Sequence, residues 1–221
     1  MNGLLIINKP KYYSSMDVIR KLRRITGIKK IGHAGTLDPL ATGVLLVCIG
    51  TATKKINLLM DKSKEYIAEI DFTCFSETDD AEGQLTHIEI KNKPTNFDIE
   101  LILKDFIGDI YQTPPKYSAL KIQGLPAYKR AINGEEFTMK PRLISINSID
   151  LISYAWPKLK IKVHCGKGTY IRSLARDIGT KLNTGGYLTS LIRTAIGEYQ
   201  LTAALDLTTL SEIKEDNIIK I

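Results

Sequence analysis

The run Gly32-His33-Ala34-Gly35-Thr36-Leu37-Asp38-Pro39-Leu40-Ala41-Thr42-Gly43 sets one carboxylate and one imidazole among three glycines. Glycine lets a backbone turn sharply or approach a ligand closely. Asp-Pro favours a turn that fixes the direction of the acid. Few side chains in the run are large and apolar, so it makes a poor core segment and a good presenter of Asp38. An aspartic acid in water ionises near pH ~3.9, so at neutral pH it is an anion suited to be a nucleophile or a base. The same residues also fit a plainer arrangement, with Asp38 as a helix N-cap and Pro39 in the first turn.

The distribution of charge narrows the partner. The 221-residue chain carries a net charge of +7. Residues 1–60 hold 10 Lys+Arg against 2 Asp+Glu, whereas residues 61–110 hold 5 against 13. Positive charge returns downstream, with 5 against 2 over residues 111–140 and 11 against 7 over residues 141–221. Cations therefore gather around the glycine-rich run and again after residue 110, as a polyanion contacted by two regions requires. Solvated lysines on an ordinary basic protein fit the same numbers. No apolar run approaches the roughly 18–20 residues of a membrane span, and the N-terminus has no basic segment of a signal peptide. Cys48, Cys74 and Cys165 are odd in number and widely spaced, without zinc-ligand spacing, which predicts reduced thiols, no metal and a cytoplasmic protein.

The elements that must carry these residues can be read from pattern. Met1–Pro10 reads as a strand. Ser14–Thr26 reads as a helix, with a capping-box-like Ser14 and Asp17, apolar Val18, Leu22 and Ile25 on one face, and Gly27 as its stop. Its basic residues, Arg20, Lys21, Arg23 and Arg24, suit either solubility or phosphate contact. Val44–Ile49 reads as a buried strand, Thr51–Met60 as a short helix, and Tyr66, Ala68, Ile70 and Phe72 as the inward side of a half-buried strand. A strand around Leu85–Ile90 and a helix over Phe97–Phe106 follow. Residues 123–142 hold Gly124, Pro126, Gly134 and Pro141 around at most one helix, near Ala127–Asn133, which predicts a mobile surface insertion. Two strands come next, the second with Leu159, Ile161, Val163 and Cys165 inward, and a helix runs from about Tyr170 to Leu182. Strands and helices intersperse without a βαβ rhythm. One α+β domain over residues 1–221, on a mixed or antiparallel sheet flanked by helices, is the expectation.

Four segments in order, Gly32–Gly43, Gly50-Thr51-Ala52-Thr53-Lys54, Pro114–Lys121 and Gly168-Thr169-Tyr170-Ile171-Arg172, closely resemble the TruB family of tRNA pseudouridine synthases. The resemblance covers essentially the whole chain. It implies the pseudouridine-synthase fold and isomerisation of a uridine in the T-arm stem-loop of tRNA, with no metal or organic cofactor. Asp38 falls at the catalytic aspartate, Tyr66 at the aromatic that stacks on the flipped uracil, and Arg172 at the arginine that pairs with the aspartate. Asp80 falls at an acid that braces that arginine. His33, Lys9, Thr36, Lys116, Tyr117, Lys121, Tyr170 and Arg193 fall where the family meets RNA. Residues 123–142 match an RNA-gripping insertion that orders on binding, with Lys129, Arg130, Lys140 and Arg142 as its cations. Whether the acid adds to the sugar, adds to the base or removes a proton to give a glycal stays open.

Some features depart from the family. The chain ends at Ile221, where family members usually continue into a small C-terminal RNA-binding domain of the PUA type, so tRNA affinity and choice are expected to be weaker or to rest wholly on the catalytic domain. Tyr12 stands where glycine is common, Leu191-Ile192-Arg193 where Leu-Arg-Arg is frequent, and Glu77 where aspartate is usual. Short length favours a stand-alone monomer without an obligate protein partner over the guide-directed synthases. An RNA-binding module lacking chemistry would share the charge pattern but has no use for Asp38, Tyr66 and Arg172 together.

Overall fold

The computed structural model describes residues 1–221, which form two compact units. The first comprises Met1–Ile67, His164–Lys167 and Ser190–Ile221, and the second Ala68–Val163 and Gly168–Thr189. The chain passes from one to the other mainly inside strands, so no linker composition marks the boundary in the sequence.

The chain opens with β1 (Gly3–Lys9), α1 (Ser15–Thr26), β2 (Ile31–His33), β3 (Thr42–Ile49), a 3₁₀ turn (Gly50–Lys55), α2 (Ile56–Met60) and β4 (Lys64–Asp71). There follow β5 (Cys74–Ser76), β6 (Leu85–His87), α3 (Asn96–Lys104), β7 (Gly108–Gln112), β8 (Lys121–Ile122), β9 (Leu125–Pro126) and α4 (Ala127–Ile132). It closes with β10 (Arg142–Ala155), β11 (Lys158–Cys165), α5 (Ile171–Lys181), β12 (Tyr187–Ile196), β13 (Tyr199–Gln200) and β14 (Leu205–Asp206). Within the first unit the strand order is β14-β1-β3-β12-β4, and within the second β12-β4-β11-β10-β7. The β1–β3 ladder is antiparallel and the β3–β12 and β1–β14 ladders are parallel, so the sheet is mixed and the class α+β.

In the first unit, period-2 side-chain alternation puts apolar residues on both faces of β1 and β3. Leu5, Ile7, Leu45, Val47 and Ile49 meet Val18, Ile19 and Leu22 of α1. Leu4, Ile6, Val44, Leu46 and Cys48 line the opposite face with Ala34, Leu59 and Ile196. Helix α1 begins where its cap dictates. Ser14 Oγ accepts from Asp17 N at 3.1 Å while Asp17 Oδ2 accepts from Ser14 N at 2.9 Å. It stops at Gly27, whose φ of 69° suits glycine and whose N–H donates to Arg23 O. The cations Arg20, Arg23 and Arg24 are exposed.

Two strands depart from expectation. The strand read at Leu85–Ile90 is shorter, spanning Leu85–His87, and β12 has no clear hydropathic signature. Its inward positions include the buried Arg193, and a charged residue in the apolar register hides the alternation. Residues 123–142 hold β9 and α4, with β9 paired to β8 just before them. Cys48, Cys74 and Cys165 are buried and form no disulfide.

Replacing the cap tests the local argument. Ser14→Ala leaves the Asp17 N–H without its acceptor and is expected to lower unfolding free energy by about 1 kcal/mol, measured as a fall in the urea midpoint with the slope unchanged.

Candidate active site

Asp38 sits on a turn outside any helix, which excludes the N-cap arrangement. Ala41 N–H donates to Asp38 O at 3.1 Å, closing a turn with Pro39 in its second place. The side chain is half-buried. Small apolar neighbours anchor the run: Ala34, Leu37, Leu40 and Ala41 are all buried. The segment that looked too polar to join the core thus pins its alternate residues there and leaves Asp38 between them.

Three other segments hold the turn. Ser15, buried at the start of α1, donates through Oγ to Leu37 O at 3.2 Å and accepts from Leu37 N at 2.9 Å. Lys9, also buried, points Nζ at Tyr13 O (2.6 Å), Pro10 O (3.0 Å) and Pro39 O (3.4 Å). Arg193 on β12 is 2% exposed and spends its guanidinium on carbonyls. Its Nε donates to Val44 O at 2.7 Å, Nη1 to Thr36 O at 3.3 Å and Nη2 to Gly35 O at 3.4 Å. Lys9 and Arg193 were expected to face RNA, and in the fold they are scaffold cations beneath the turn. Ser15 escaped the sequence reading, since one serine beside a cap serine carries no signal of its own.

The glycines have separate tasks. Gly43, with φ 102°, lies opposite Arg193 in the β3–β12 register, where an added Cβ would come within 2.3 Å of Arg193 O. Gly35, with φ 94°, lets the chain bend after β2 so that its carbonyl reaches the guanidinium. Thr36 is exposed beside it.

Electrostatics in this unit radiate from Arg193. Tyr66 on β4 is 8% exposed. Burial pushes its phenol above the ordinary value; the Arg193 charge and hydrogen bond oppose this, and the Asp38 carboxylate adds to it. Asp38, Tyr66 and Arg193 therefore share one electrostatic neighbourhood. His33, at the end of β2, is held below its ordinary pKa by burial, with the Arg193 charge adding and a Gly35 backbone hydrogen bond opposing. Lys64 is lowered first by burial and then by Arg193.

The second unit carries Arg172, near the start of α5 and 6% exposed rather than a surface helix arginine. Its Nη1 donates to Thr78 O at 3.0 Å and its Nη2 to Tyr117 O at 3.0 Å, and Nε stands 3.6 Å from Asp80 Oδ2. Asp80 is buried and also accepts from Glu82 N at 3.0 Å. Beside it Arg176, which the sequence reading passed over, donates to Asp79 Oδ2 at 2.6 Å and Thr113 O at 2.8 Å. Helix α5 lacks a side-chain cap of its own. Gln112 supplies the contact from β7, accepting from Tyr170 N at 2.9 Å and donating to Tyr170 O at 3.1 Å.

Among the expected RNA contacts here, Lys116, Lys121, Lys129, Lys140 and Arg142 are exposed. Arg130 is partly spent within the insertion, on Ile122 O at 3.2 Å and on Glu135. Tyr117 hydrogen-bonds Glu77 Oε1 at 2.7 Å. A cavity of about 780 Å³ lies between Pro114–Tyr117 and the insertion. Glu77, Asp79, Glu135 and Glu136 outnumber Lys116 and Arg176 on its wall, so it is a poor receptor for phosphate.

Two stability measurements follow. Ser15→Ala strips the buried Leu37 N–H of its acceptor and is expected to cost about 1–3 kcal/mol by urea unfolding. For His33, a folded-state pKa below the unfolded value means that the fold disfavours the imidazolium. Its contribution is present above about pH 6.5 and is lost as pH falls from there toward the folded pKa. The urea midpoint of the wild type is expected to drop across that window, and more steeply than that of His33→Gln.

Residues 23–171 match the N-terminal domain of the TruB family pseudouridylate synthases. The tRNA pseudouridine synthase B of Dehalococcoides mccartyi is 45% identical over 216 residues, covering 98% of this chain and 72% of that protein. Its namesake from Opitutus terrae is 39% identical over 220 residues, covering 100% of this chain and 91% of that protein. A chain of a Cbf5-Nop10-Gar1 complex superposes with a TM-score of 0.75 at 27% identity over 98% of this chain, which spans 57% of that longer one. With its glycine-bounded aspartate turn and a match over most of its length, the chain belongs to the TruB family of pseudouridylate synthases.

Proposed function

We propose that this protein isomerises uridine in tRNA to pseudouridine, that the target lies in the T-arm, and that Asp38 is the nucleophile. The observation that carries the mechanism is the mounting of a half-buried carboxylate, whose charge bears on Tyr66, on a turn fixed from three sides. Support for tRNA as substrate comes from the relatives named tRNA pseudouridine synthase B, which align with nearly the whole chain.

The reaction needs no net gain or loss of atoms. The bond from C1′ of the ribose to N1 of uracil breaks, the base turns, and a bond from C1′ to C5 forms. C5 gives up its proton and N1 gains one. A fixed anion assists this by meeting the electron-poor centre that appears as the glycosidic bond opens. Removing the target uridine from its stack exposes both faces of the base, and the Tyr66 ring offers one of them a platform. Arg172, with its guanidinium fixed by the Thr78 and Tyr117 carbonyls, completes the proposed catalytic set.

Charge supports a polyanionic substrate on the unit that presents Asp38. The first unit holds 16 Lys+Arg against 9 Asp+Glu, while the second is balanced at 15 against 15. The entire excess of +7 thus belongs to the unit that presents Asp38. Lysines and arginines of residues 123–142 add a second group of contacts in this reading, and no protein partner is required. No helix is long and apolar enough to cross a membrane, and three cysteines outside any disulfide fit a reducing cytoplasm.

Purified protein and unmodified tRNA transcript, followed by pseudouridine mapping, test the proposal. Wild type is expected to modify one T-arm uridine, and Asp38→Asn to lose activity by more than about a thousandfold while tRNA binding persists. Tyr66→Phe is expected to retain more activity than Tyr66→Ala, because stacking needs the ring. Product at wild-type rate from Asp38→Asn rejects the nucleophile, and absence of product from the wild type on any tRNA rejects the enzyme.

A further inference from the structure

We infer that Tyr12 is a positioning residue for the RNA, stacking on an unpaired nucleobase next to the reacting uridine. The inference rests on the function proposed above and adds to it a contact for which the turn presenting Asp38 has no need of its own.

Three observations converge on this side chain. Tyr12 adopts a φ of 67°, in the left-handed region that favours glycine and is uphill for a residue with a bulky side chain. Its ring gains no burial in return, for the residue is 73% exposed. A large aromatic held in an uphill backbone state and left in water has no account in folding.

Its mounting supplies one. Tyr12 N–H donates to Pro39 O at 2.7 Å, the carbonyl of the residue that follows Asp38. The buried Lys9 ties the same two segments together through Tyr13 O and Pro39 O. Tyr12 is therefore fixed to the reactive turn by its own backbone, and the ring projects beside it. Little backbone freedom remains to be lost when a ligand arrives.

The chemistry of the projection selects a nucleobase. Lys11 Nζ lies 5.1 Å from the centroid of the Tyr12 ring, so a cation and an aromatic face occur together. This pairing suits one nucleotide of a strand, with phosphate toward the ammonium and base toward the ring. The surrounding unit carries the whole excess of positive charge. A uridine drawn out to Asp38 leaves its neighbours in the strand without a stacking partner, and an exposed phenol at the adjoining residue replaces it.

Steady-state kinetics and equilibrium binding with unmodified tRNA transcript test the assignment. Tyr12→Ala is expected to raise KM and Kd for the transcript by roughly 5- to 100-fold, with kcat at saturation within about twofold of wild type. Tyr12→Phe and Tyr12→Trp should restore binding. Tyr12→Gly should unfold at equal or higher urea concentration than wild type, since glycine accepts the backbone state, and still bind as weakly as Tyr12→Ala. A transcript with 2-aminopurine beside the target uridine should lose fluorescence on binding wild type and less on binding Tyr12→Ala. Unchanged KM and Kd in Tyr12→Ala and Tyr12→Gly, with wild type active, overturn the assignment alone. An inactive wild type overturns the underlying function instead.

Discussion

A single guanidinium, buried under a loop of glycines, governs the first unit. Arg193 donates to Gly35 O and Thr36 O, carbonyls of the irregular backbone after β2, and to Val44 O on β3. Leaving such groups unpaired in the interior is costly, and so is desolvating an arginine, so each offsets the other only while both are in place. The missing Cβ of Gly43 lets β3 lie close enough to β12 for the arrangement to form. Because guanidinium cannot shed its charge, the same group also sets the electrostatics around the turn, where it bears on Tyr66, His33 and Lys64.

The second unit solves a similar problem by the same means. Arg172 and Arg176 donate from α5 to the carbonyls of Thr78, Tyr117 and Thr113, and each has a neighbouring carboxylate, Asp80 and Asp79. Burial pushes Asp79 up to about 6 despite the arginine beside it. Planar forks with several donors are suited to collecting carbonyls from non-repeating loops, which a lysine would do less well. Arginines in this protein thus divide into two kinds. The buried Arg193 and Arg172 and the half-buried Arg176 fix loops, whereas Arg20, Arg23, Arg24 and Arg142 are exposed, Arg20 paired with Asp17 and Arg23 donating to Ile31 O.

This division explains how a chain rich in cations keeps a well-formed core. The positive excess is gathered on one unit, where α1 turns its apolar face to β1 and β3 and its basic face to water. Self-repulsion there is tolerated because the sheet is covered on both faces by aliphatic side chains. The exposed ring of Tyr12 and the half-buried Asp38 lie in loops, whereas the sandwiched strands carry stability.

Local signals were enough for much of this protein. The Ser14–Asp17 box and Gly27 set the limits of α1, strict alternation marked β11, and the Asp-Pro pair marked a turn, because caps, periodicity and turn chemistry act over a few neighbouring residues. Motif order and residue identity likewise identified the family and drew attention to Asp38, Tyr66 and Arg172. What sequence could not supply was the use of each cation. Lys9 and Arg193 look like candidates for RNA contact, and only tertiary structure buries them against carbonyls, those of Pro10, Tyr13 and the distant Pro39 for Lys9 and that of the distant Val44 for Arg193. Ser15 and Gln112 have no sequence signature, since a hydrogen bond to a distant backbone leaves no periodic trace. Local chemistry thus determined the elements and the reactive residue types, while long-range satisfaction of buried polar groups decided which side chains hold the turn and which face solvent.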